Sequence, residues 1–394
     1  MSSVLVHYHE VALKRGNRPY FVRLLRQNLA TSVSDLGLLG IKHLSARLLV
    51  LLEEAARPEE IYRRLQGVFG VANFSLVEKC PLDLEVLKAK IINALDGRPF
   101  SSFRVQTKRS DKTFPLTSPE ISREVGGCIK ARSGARVDLK NADLTVSIEI
   151  LPDGAFFSFE KIAGPGGLPV GASGRVVSLI SGGIDSPVAA YRMMQRGCRL
   201  TFVHFHSVPY LDKTSQAKTR DLVKQLTRHQ FASRLYLAPF GEIQRQIVAA
   251  VQRPLRVVLY RRMMMRIAES IARKEKASAL VTGESLAQVA SQTLANLAVI
   301  EEAASMPILR PLVGMDKLEI IDQARRIGTL EISIIPDQDC CQLFVPRHPA
   351  TKAKISDVQQ AESHLDIPAL TQLGVDNVEV EEFKFPPPAR ACPA

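Results

Sequence analysis

The chain contains no tryptophan, and its six cysteines include no C-x-x-C pair. Cys80, Cys128, Cys198, Cys340, Cys341 and Cys392 are scattered instead, which argues against a zinc knuckle or an iron–sulfur site of ordinary ligand spacing, and no metal ligand is assigned. No apolar run approaches the ~20 residues that span a bilayer. The opening MSSVLVHYHEVALKRG also lacks the basic-then-apolar layout of a secretory signal. A cytosolic protein with no membrane partner is expected, with most thiols reduced and buried. Also missing is a phosphate-loop lysine. The glycine turn S-G-G-I-D-S at residues 181–186 fits neither G-x-x-x-x-G-K-[ST] nor G-x-G-x-x-G, so neither motor-type nucleotide hydrolysis nor nicotinamide chemistry is indicated.

What is present is ordinary globular composition, 46% hydrophobic and 23% charged, in 394 residues that allow two or three domains. Lysine and arginine outnumber the acids 52 to 40, a net charge of +12 that makes polyanions candidate partners, although excess charge can also serve solubility alone. The first 34 residues carry Lys14, Arg15, Arg18, Arg23 and Arg26 against Glu10 alone. A strand-like stretch at 3–8, a helix-like run at 20–36 and an apolar strand at 47–52 predict a small α/β unit over 1–60. Over 61–165 the short alternating stretches SSFRVQTKR and LTVSIEIL flank SPEISREVGGCIKARSG, whose Ser118 and Glu120 read as a helix start, giving a second α/β module. Five Gly and two Pro then fall within residues 163–174, and 166–174 reads as a linker. From 175 onward the strands VVSLI, LTFVHF, RLYLAP and SALVTG alternate with helical segments at 187–196, 242–252 and 255–275. This alternation predicts a doubly wound parallel sheet covered on both faces.

The apolar strand that leads into S-G-G-I-D-S-P, with a helix after it, aims backbone N–H groups and a helix N-terminus at an anion. Gly182 and Gly183 let the main chain approach a phosphate, Ser181 and Ser186 can donate hydroxyl hydrogens, and Pro187 suits the first helical turn. Asp185 inside such a loop calls for a compensating metal or proton, which makes Mg²⁺ a reasonable partner. At the next strand end, V-H-F-H-S places His204 and Phe205 where ligand contacts collect. T-G-E-S-L-A-Q-V-A-S-Q-T-L-A-N-L, residues 282–297, sets Gly283 at a strand end and Gln288, Ser291, Gln292 and Asn296 along one polar helical stripe. RPLVGMDKLEI offers Arg310, a capping box of Asp316 with Glu319, and Lys317, a cation that opposes the helix dipole unless an anionic substrate offsets it. In the helix 255–276, Met264 and Met265 read as core and Arg261 as a nucleotide contact. The vicinal Cys340 and Cys341 of PDQDCCQLFVP point to persulfide chemistry, with plain burial as the competing reading.

S-G-G-I-D-S resembles the signature of the PP-loop ATP pyrophosphatases, which break ATP between the α and β phosphorus atoms. Over residues 7–352 the stretches HYHEVALKRGNR, VFGVANFS, GPGGLPVGASG, SGGIDSPVAAYRMMQRG, VHFHSVPY, TGESLAQVASQTLANL, RPLVGMDKLEI and DCCQLFVPRHPATK resemble the tRNA 4-thiouridine synthase family, the tRNA uracil 4-sulfurtransferases. That resemblance implies an N-terminal ferredoxin-like domain (1–60), a THUMP α/β domain (61–165) and a doubly wound PP-loop catalytic domain (175–394). The first two would form the tRNA-binding half, with Lys14, Arg15, Arg18, Lys108, Arg109 and Lys112 as a basic cluster. The implied reaction adenylates the C4 oxygen of uridine 8 of tRNA, releasing pyrophosphate, after which a persulfide sulfur displaces AMP. Asp185 would organise Mg²⁺ or the phosphates of ATP, and Lys317 would neutralise charge at the α-phosphate. Cys341 or Cys340 would handle sulfur, the family pattern favouring Cys341. Leu179, Ile180, His204, Phe205, Arg261, Gly283 and Gln292 match the family's nucleotide positions.

Many members of that family carry a C-terminal rhodanese domain, and this chain ends at residue 394 without one. Sulfur is therefore expected from a cysteine desulfurase or another persulfide carrier, with Cys340 or Cys392 resolving the intermediate. The link of some members to thiamine biosynthesis is correspondingly weaker here. The resemblance also implies a homodimer. Two rival readings remain: a PP-loop synthetase that adenylates a small carboxylate or amide, and an RNA-binding module whose loop only senses nucleotide.

Overall fold

The computed structural model describes residues 2–54, 57–338, 340, 343–344, 346 and 348–387. The chain divides into two compact units, Met1–Leu168 and Pro169–Ala394, and the division falls inside the glycine-rich stretch.

In the first unit the elements run β1 (Ser2–His7), α1 (Arg18–Ser32), β2 (Leu38–Leu44), β3 (Arg47–Leu52), α2 (Pro58–Leu65) and β4 (Asn73–Cys80). They continue as α3 (Leu84–Leu95), β5 (Ser102–Arg109), α4 (Ser118–Ser133), β6 (Arg136–Val137), β7 (Leu144–Leu151), β8 (Gly154–Ser158) and β9 (Ile162–Ala163). The nine strands make one sheet in the order β2-β3-β1-β4-β8-β7-β5-β6, with β9 beside β4. The two α/β modules read from the sequence are thus halves of a continuous sheet. The strand that joins them is β4, whose residues 73–77 pair with β1 and whose residues 78–80 pair with β8. α1 starts and ends earlier than its periodicity predicts, because Pro19 serves its first turn and the chain turns at Gly37 (φ +67°) to enter β2. β2 escaped the pattern reading since all its residues but Leu44 are exposed or half-exposed and show no clean alternation. α4 is capped by Thr117 rather than Ser118, in a capping box with Glu120.

The second unit comprises β10 (Arg175–Leu179), α5 (Asp185–Gln195), β11 (Arg199–His206), α6 (Thr214–Gln230), β12 (Ala232–Pro239), α7 (Gly241–Ala250) and α8 (Arg256–Lys274). β13 (Leu280–Val281), α9 (Leu294–Glu301), β14 (Ile308–Leu309), α10 (Lys317–Arg326), α11 (Leu330–Ser333), α12 (Ile355–Glu362), α13 (Ile367–Asp376) and β15 (Glu379–Lys384) follow. The sheet order is β14-β13-β10-β11-β12-β15. Its first five strands are parallel, as the alternation of strands and helices predicts, while β15 closes the β12 edge antiparallel. The polar stripe expected as one helix over 288–296 is instead an irregular loop through Thr293, with one 3₁₀ turn at Ala290–Gln292, and of the stripe only Asn296 falls within α9. Ala287 in this loop takes a left-handed φ of +63°, and Asn296 ties it down by donating to the carbonyls of Ala290 (2.7 Å) and Ala350 (2.8 Å). Tertiary bonds from these amides override the helical period.

α8 runs through the core of this unit, with Met264 and Met265 buried as expected and Met263 buried beside them. Arg262, on the same helix, is 1% exposed. It donates to the Val299 carbonyl, to Glu302 (2.6 Å) and twice to Glu362 (2.8 and 2.9 Å), which fastens α12 to α8. Removing the cation leaves the buried Glu362 to Arg266 alone and the Val299 carbonyl without its donor, and breaking a buried pair typically costs about 3 kcal/mol or more. Arg262→Met is expected to lower the urea midpoint correspondingly, and an unchanged midpoint would show that Arg266 alone suffices for Glu362.

Candidate active site

β10 feeds the S-G-G-I-D-S turn at the point where strand order reverses, with β11 on one side and β13 on the other. Crevices of parallel sheets open at such a switch point. The cleft there is lined by Leu179, Ile180, Ser181, Gly183, Asp185, Ser186, His204, Phe205, Arg261, Met264, Thr282, Gly283, Glu284, Gln292 and Cys340. Residues selected from five separate stretches of sequence therefore meet in one place. Lys317 reaches the site through Asp185, Gly182 faces the other way, and Cys341 and Cys392 lie outside the described residues.

The loop is shaped by its own serines. The Ser181 N–H donates to Ser186 Oγ (2.9 Å), the two hydroxyls share a hydrogen at 3.1 Å, and the Gly183 N–H donates to Ser181 Oγ (3.3 Å). The hydroxyls that the sequence offered to a phosphate thus hold the turn closed. The three glycines nearby differ in what they allow. A methyl on Gly183 would meet nothing nearer than Ser181 Oγ at 3.4 Å, so this residue leaves the main chain bare toward the cleft. On Gly182 it would overlap the Asp337 carboxylate, and on Gly283 it would sit 2.7 Å from the Ser186 backbone. Those two glycines serve packing.

Asp185 accepts from Lys317 Nζ at 2.6 Å and from Gln288 Nε2 at 3.0 Å. The acid that called for a compensating charge and the lysine that called for an anion therefore satisfy one another. Both stay partly exposed, at 21% and 42%, within reach of a ligand. Glu284 is buried beneath the cleft, where Thr282 Oγ1 and Arg310 Nε each donate to it at 2.9 Å. Arg310 also holds Glu301 (2.7 Å), so this arginine braces the floor. Gln292 Oε1 is buried without a partner among the described residues, an acceptor left open in the cleft wall.

His204 is buried, with Nδ1 against the Ile180 carbonyl (3.0 Å) and Nε2 against Ser215 Oγ (3.4 Å), which fits a structural histidine that also lines the cleft. The Phe205 ring packs edge-on against Phe240 with centroids 5.5 Å apart. Cys340 is buried at the cleft and is not in a disulfide; its carbonyl accepts from Gln244 Nε2 at 2.9 Å. Thr282 and Glu284 went unselected in the sequence, although an acid directly after a strand-end glycine was a usable signal. Lys218 and Asp337, which meet against Gly182, gave none, being 119 residues apart.

In the first unit Arg15, Lys108 and Lys112 are exposed, and Lys14 and Arg18 half-buried. Lys14 lies 3.6 Å from Glu10 and 5.5 Å from the Phe21 ring centroid. Arg109 donates to the Phe114 and Leu116 carbonyls at 2.7 and 2.9 Å and so pins its own loop. Phe103 and Phe114 are core. Lys108 also borders a polar hollow on the sheet face, together with Lys161, Gln106 and the His7–Glu149 pair (2.7 Å).

Comparison with known proteins agrees with this geometry. Family models match over residues 3–75 (ThiI ferredoxin-like domain), 83–160 (THUMP domain) and 171–367 (Thiamine biosynthesis protein, ThiI). Among curated relatives, a probable tRNA sulfurtransferase of Thermus thermophilus is 48% identical, covering 96% of this chain and 93% of its own. One from Moorella thermoacetica is 46% identical over 96% and 97%. A solved 4-thiouridine synthetase–RNA complex with bound ATP superposes with a TM-score of 0.89 at 34% identity, over 98% of this chain and all of that one. Fold and cleft together define an α/β protein in which a PP-loop domain follows ferredoxin-like and THUMP domains. The chain belongs to the ThiI family, whose curated relatives are named tRNA sulfurtransferases.

His206, at the end of β11, makes the site region sensitive to acid. Burial pushes its pKa from 6.5 down to about 4, helped by His204, Arg220 and Lys213, and its Nδ1 is buried without a partner among the described residues. Between those two pH values the unfolded chain binds the proton and the native one does not. Stability should be full above pH 6.5 and fall as pH drops toward 4. Urea midpoints across that range should show His206→Gln losing less than the unaltered protein, and equal losses would exclude His206 as the source.

Proposed function

We propose that this chain is an ATP-dependent tRNA sulfurtransferase that converts uridine 8 of tRNA to 4-thiouridine. The observation that carries the reading is that a lysine-free phosphate loop and Cys340 line one cleft, so activation of a base and delivery of sulfur can share a site. The outer phosphates of ATP lie against the bare backbone at Gly183 and the N-terminus of α5, where N–H groups and the helix dipole favour negative charge. Arg261, Gln292 and the strand ends at Leu179, Ile180, His204, Phe205 and Gly283 form the walls for the nucleoside.

The C4 oxygen of the uracil attacks the α-phosphorus. An O–P bond forms, the bond to the β-phosphate oxygen breaks, pyrophosphate leaves with the electron pair, and N3 of the base gives up its proton to solvent, to be regained when the thiolated base is released. Lys317, held at the site by Asp185, offsets the charge gathering on the phosphoryl oxygens. A Mg²⁺ ion commonly binds through one or two carboxylates together with substrate phosphates. Asp185, whose Oδ2 is occupied only by a neutral amide, suits that role and is the residue that would hold it. The ion would supply charge neutralisation.

In the second half-reaction the terminal sulfur of a persulfide on Cys340 attacks C4, and the C4–O bond breaks with AMP as leaving group. A second thiolate, from Cys341 or Cys392, then attacks the Cys340 sulfur. A protein disulfide forms, the thiolated base is released, and a dithiol reductant restores the enzyme. The burial of Cys340 in the cleft supports it as the carrier over Cys341, which the family pattern favours. The persulfide comes from a cysteine desulfurase or another carrier in the cytosol. Lys14, Arg15, Arg18, Lys108 and Lys112 of the first unit track tRNA phosphates. The family resemblance supports a homodimer as the working form.

Pyrophosphate release and tRNA nucleosides should be measured together in the presence of ATP, Mg²⁺, tRNA, cysteine and a desulfurase. Asp185→Ala is expected to abolish pyrophosphate release while tRNA affinity is kept. Cys340→Ser should stop thiolation and spare pyrophosphate release; full thiolation by that variant would return the role to Cys341. Pyrophosphate release that ignores tRNA would favour a small-molecule synthetase, and none at all a binding module.

A further inference from the structure

Two side chains outside the cleft lining connect the phosphate loop to the segment that bears Cys340. Lys218 of α6 is 6% exposed, and its ammonium donates to the Ile335 carbonyl at 2.6 Å and to Asp337 Oδ1 at 3.2 Å. Asp337 in turn packs against Gly182, with Lys218 Cδ beside it, and its Oδ2 is buried without a partner among the described residues. Just upstream, Ser333 Oγ donates to the Gly183 carbonyl at 3.3 Å. Three residues beyond Asp337, the backbone of Cys340 is held by Gln244, itself fixed by Ser207 at 2.5 Å. Ser333 is thus bonded to one glycine of the loop, Asp337 packs on the other, and Cys340 is tied to α7.

This arrangement is costly. A buried lysine is expensive, a buried ion pair seldom adds net stability, and a carboxylate beside an anion-receiving turn is unfavourable unless a cation offsets it. Stability alone does not account for the pair, whereas the placement of the thiol does. We infer that Lys218, acting through Asp337 and the Ile335 carbonyl, is a positioning residue for sulfur transfer: it sets the Cys340 segment against the phosphate loop so that a persulfide there reaches the activated C4. The inference rests on the sulfurtransferase reading. It separates the two half-reactions, because adenylation uses the loop and needs no thiol.

The test compares Lys218→Met, Lys218→Arg and Asp337→Asn in the full-length protein, measuring 4-thiouridine formed per pyrophosphate released under the conditions above. The unaltered protein is expected to stay near one. Lys218→Met and Asp337→Asn should lower the ratio on the order of 10–100-fold, the usual effect of a misplaced reacting group, with pyrophosphate release within about threefold of normal. Lys218→Arg should recover part of the ratio. Loss of fold would not move the ratio selectively, and Asp337→Asn keeps the side-chain shape if Lys218→Met proves unstable. Iodoacetamide labelling of Cys340, read by peptide mass spectrometry, should accelerate about tenfold in the two impaired variants. A ratio unchanged in both variants, or pyrophosphate release falling in parallel with thiolation, would overturn the positioning role. No tRNA-dependent pyrophosphate release from the unaltered protein would instead overturn the activity, and this inference with it.

Discussion

The catalytic end depends on a close contact between Gly283 and the backbone of Asp185 and Ser186. β13 pairs with β10 for only two residues, so the sheet itself does little to hold the two strand ends together. The missing Cβ at Gly283 lets the strand end touch the first turn of α5, and this sets both walls of the cleft. Asp185 then faces Gln288 and Lys317, and the loop after β13 brings in Glu284 and Gln292. A single side chain at position 283 would push those two groups apart.

A phosphate loop without its own lysine still needs positive charge, and here it is supplied from elsewhere in the chain. Lys317 comes from the start of α10 and arrives already paired with Asp185, whereas Lys218 of α6 is committed to Asp337 and the Ile335 carbonyl. Both cations are thus paired before any ligand enters, and in the proposed reaction backbone N–H groups and the α5 dipole would carry the anion affinity. That division has a chemical consequence. In the proposed reaction, a backbone cradle with a cation to one side would leave the α-phosphorus open to attack.

In the first unit the constraint is the shared strand β4. The modules on either side cannot shift independently without breaking its ladders, and Glu149 of β7 pairs with His7 of β1 (2.7 Å) and with Arg47 of β3 across the join. The sheet presents Lys108 and Lys161 beside a polar hollow, a surface consistent with phosphate contact.

Much of this was legible in the sequence, and the reason is locality. The parallel sheet shows in the alternation of apolar strands and helical segments, the phosphate loop in six consecutive residues, and the cap of α10 in Asp316 and Glu319, each a signal contained within a few turns of chain. Misreadings arose where tertiary bonds override period: residues 288–293 look helical, yet the Asn296 side chain and the left-handed Ala287 hold them as a loop, and β2 is hidden because neither face is fully buried. Residue identity alone determined that the loop has no lysine, that it is followed by an acid, and that two thiols stand together downstream. Only the folded chain decided that Lys317 answers Asp185, that Gly182 is a glycine for the sake of Asp337, and that Cys340 reaches the cleft. Such pairings join residues more than a hundred positions apart, and the free energy of burying charge, which selects them, exists only once the chain has closed around it.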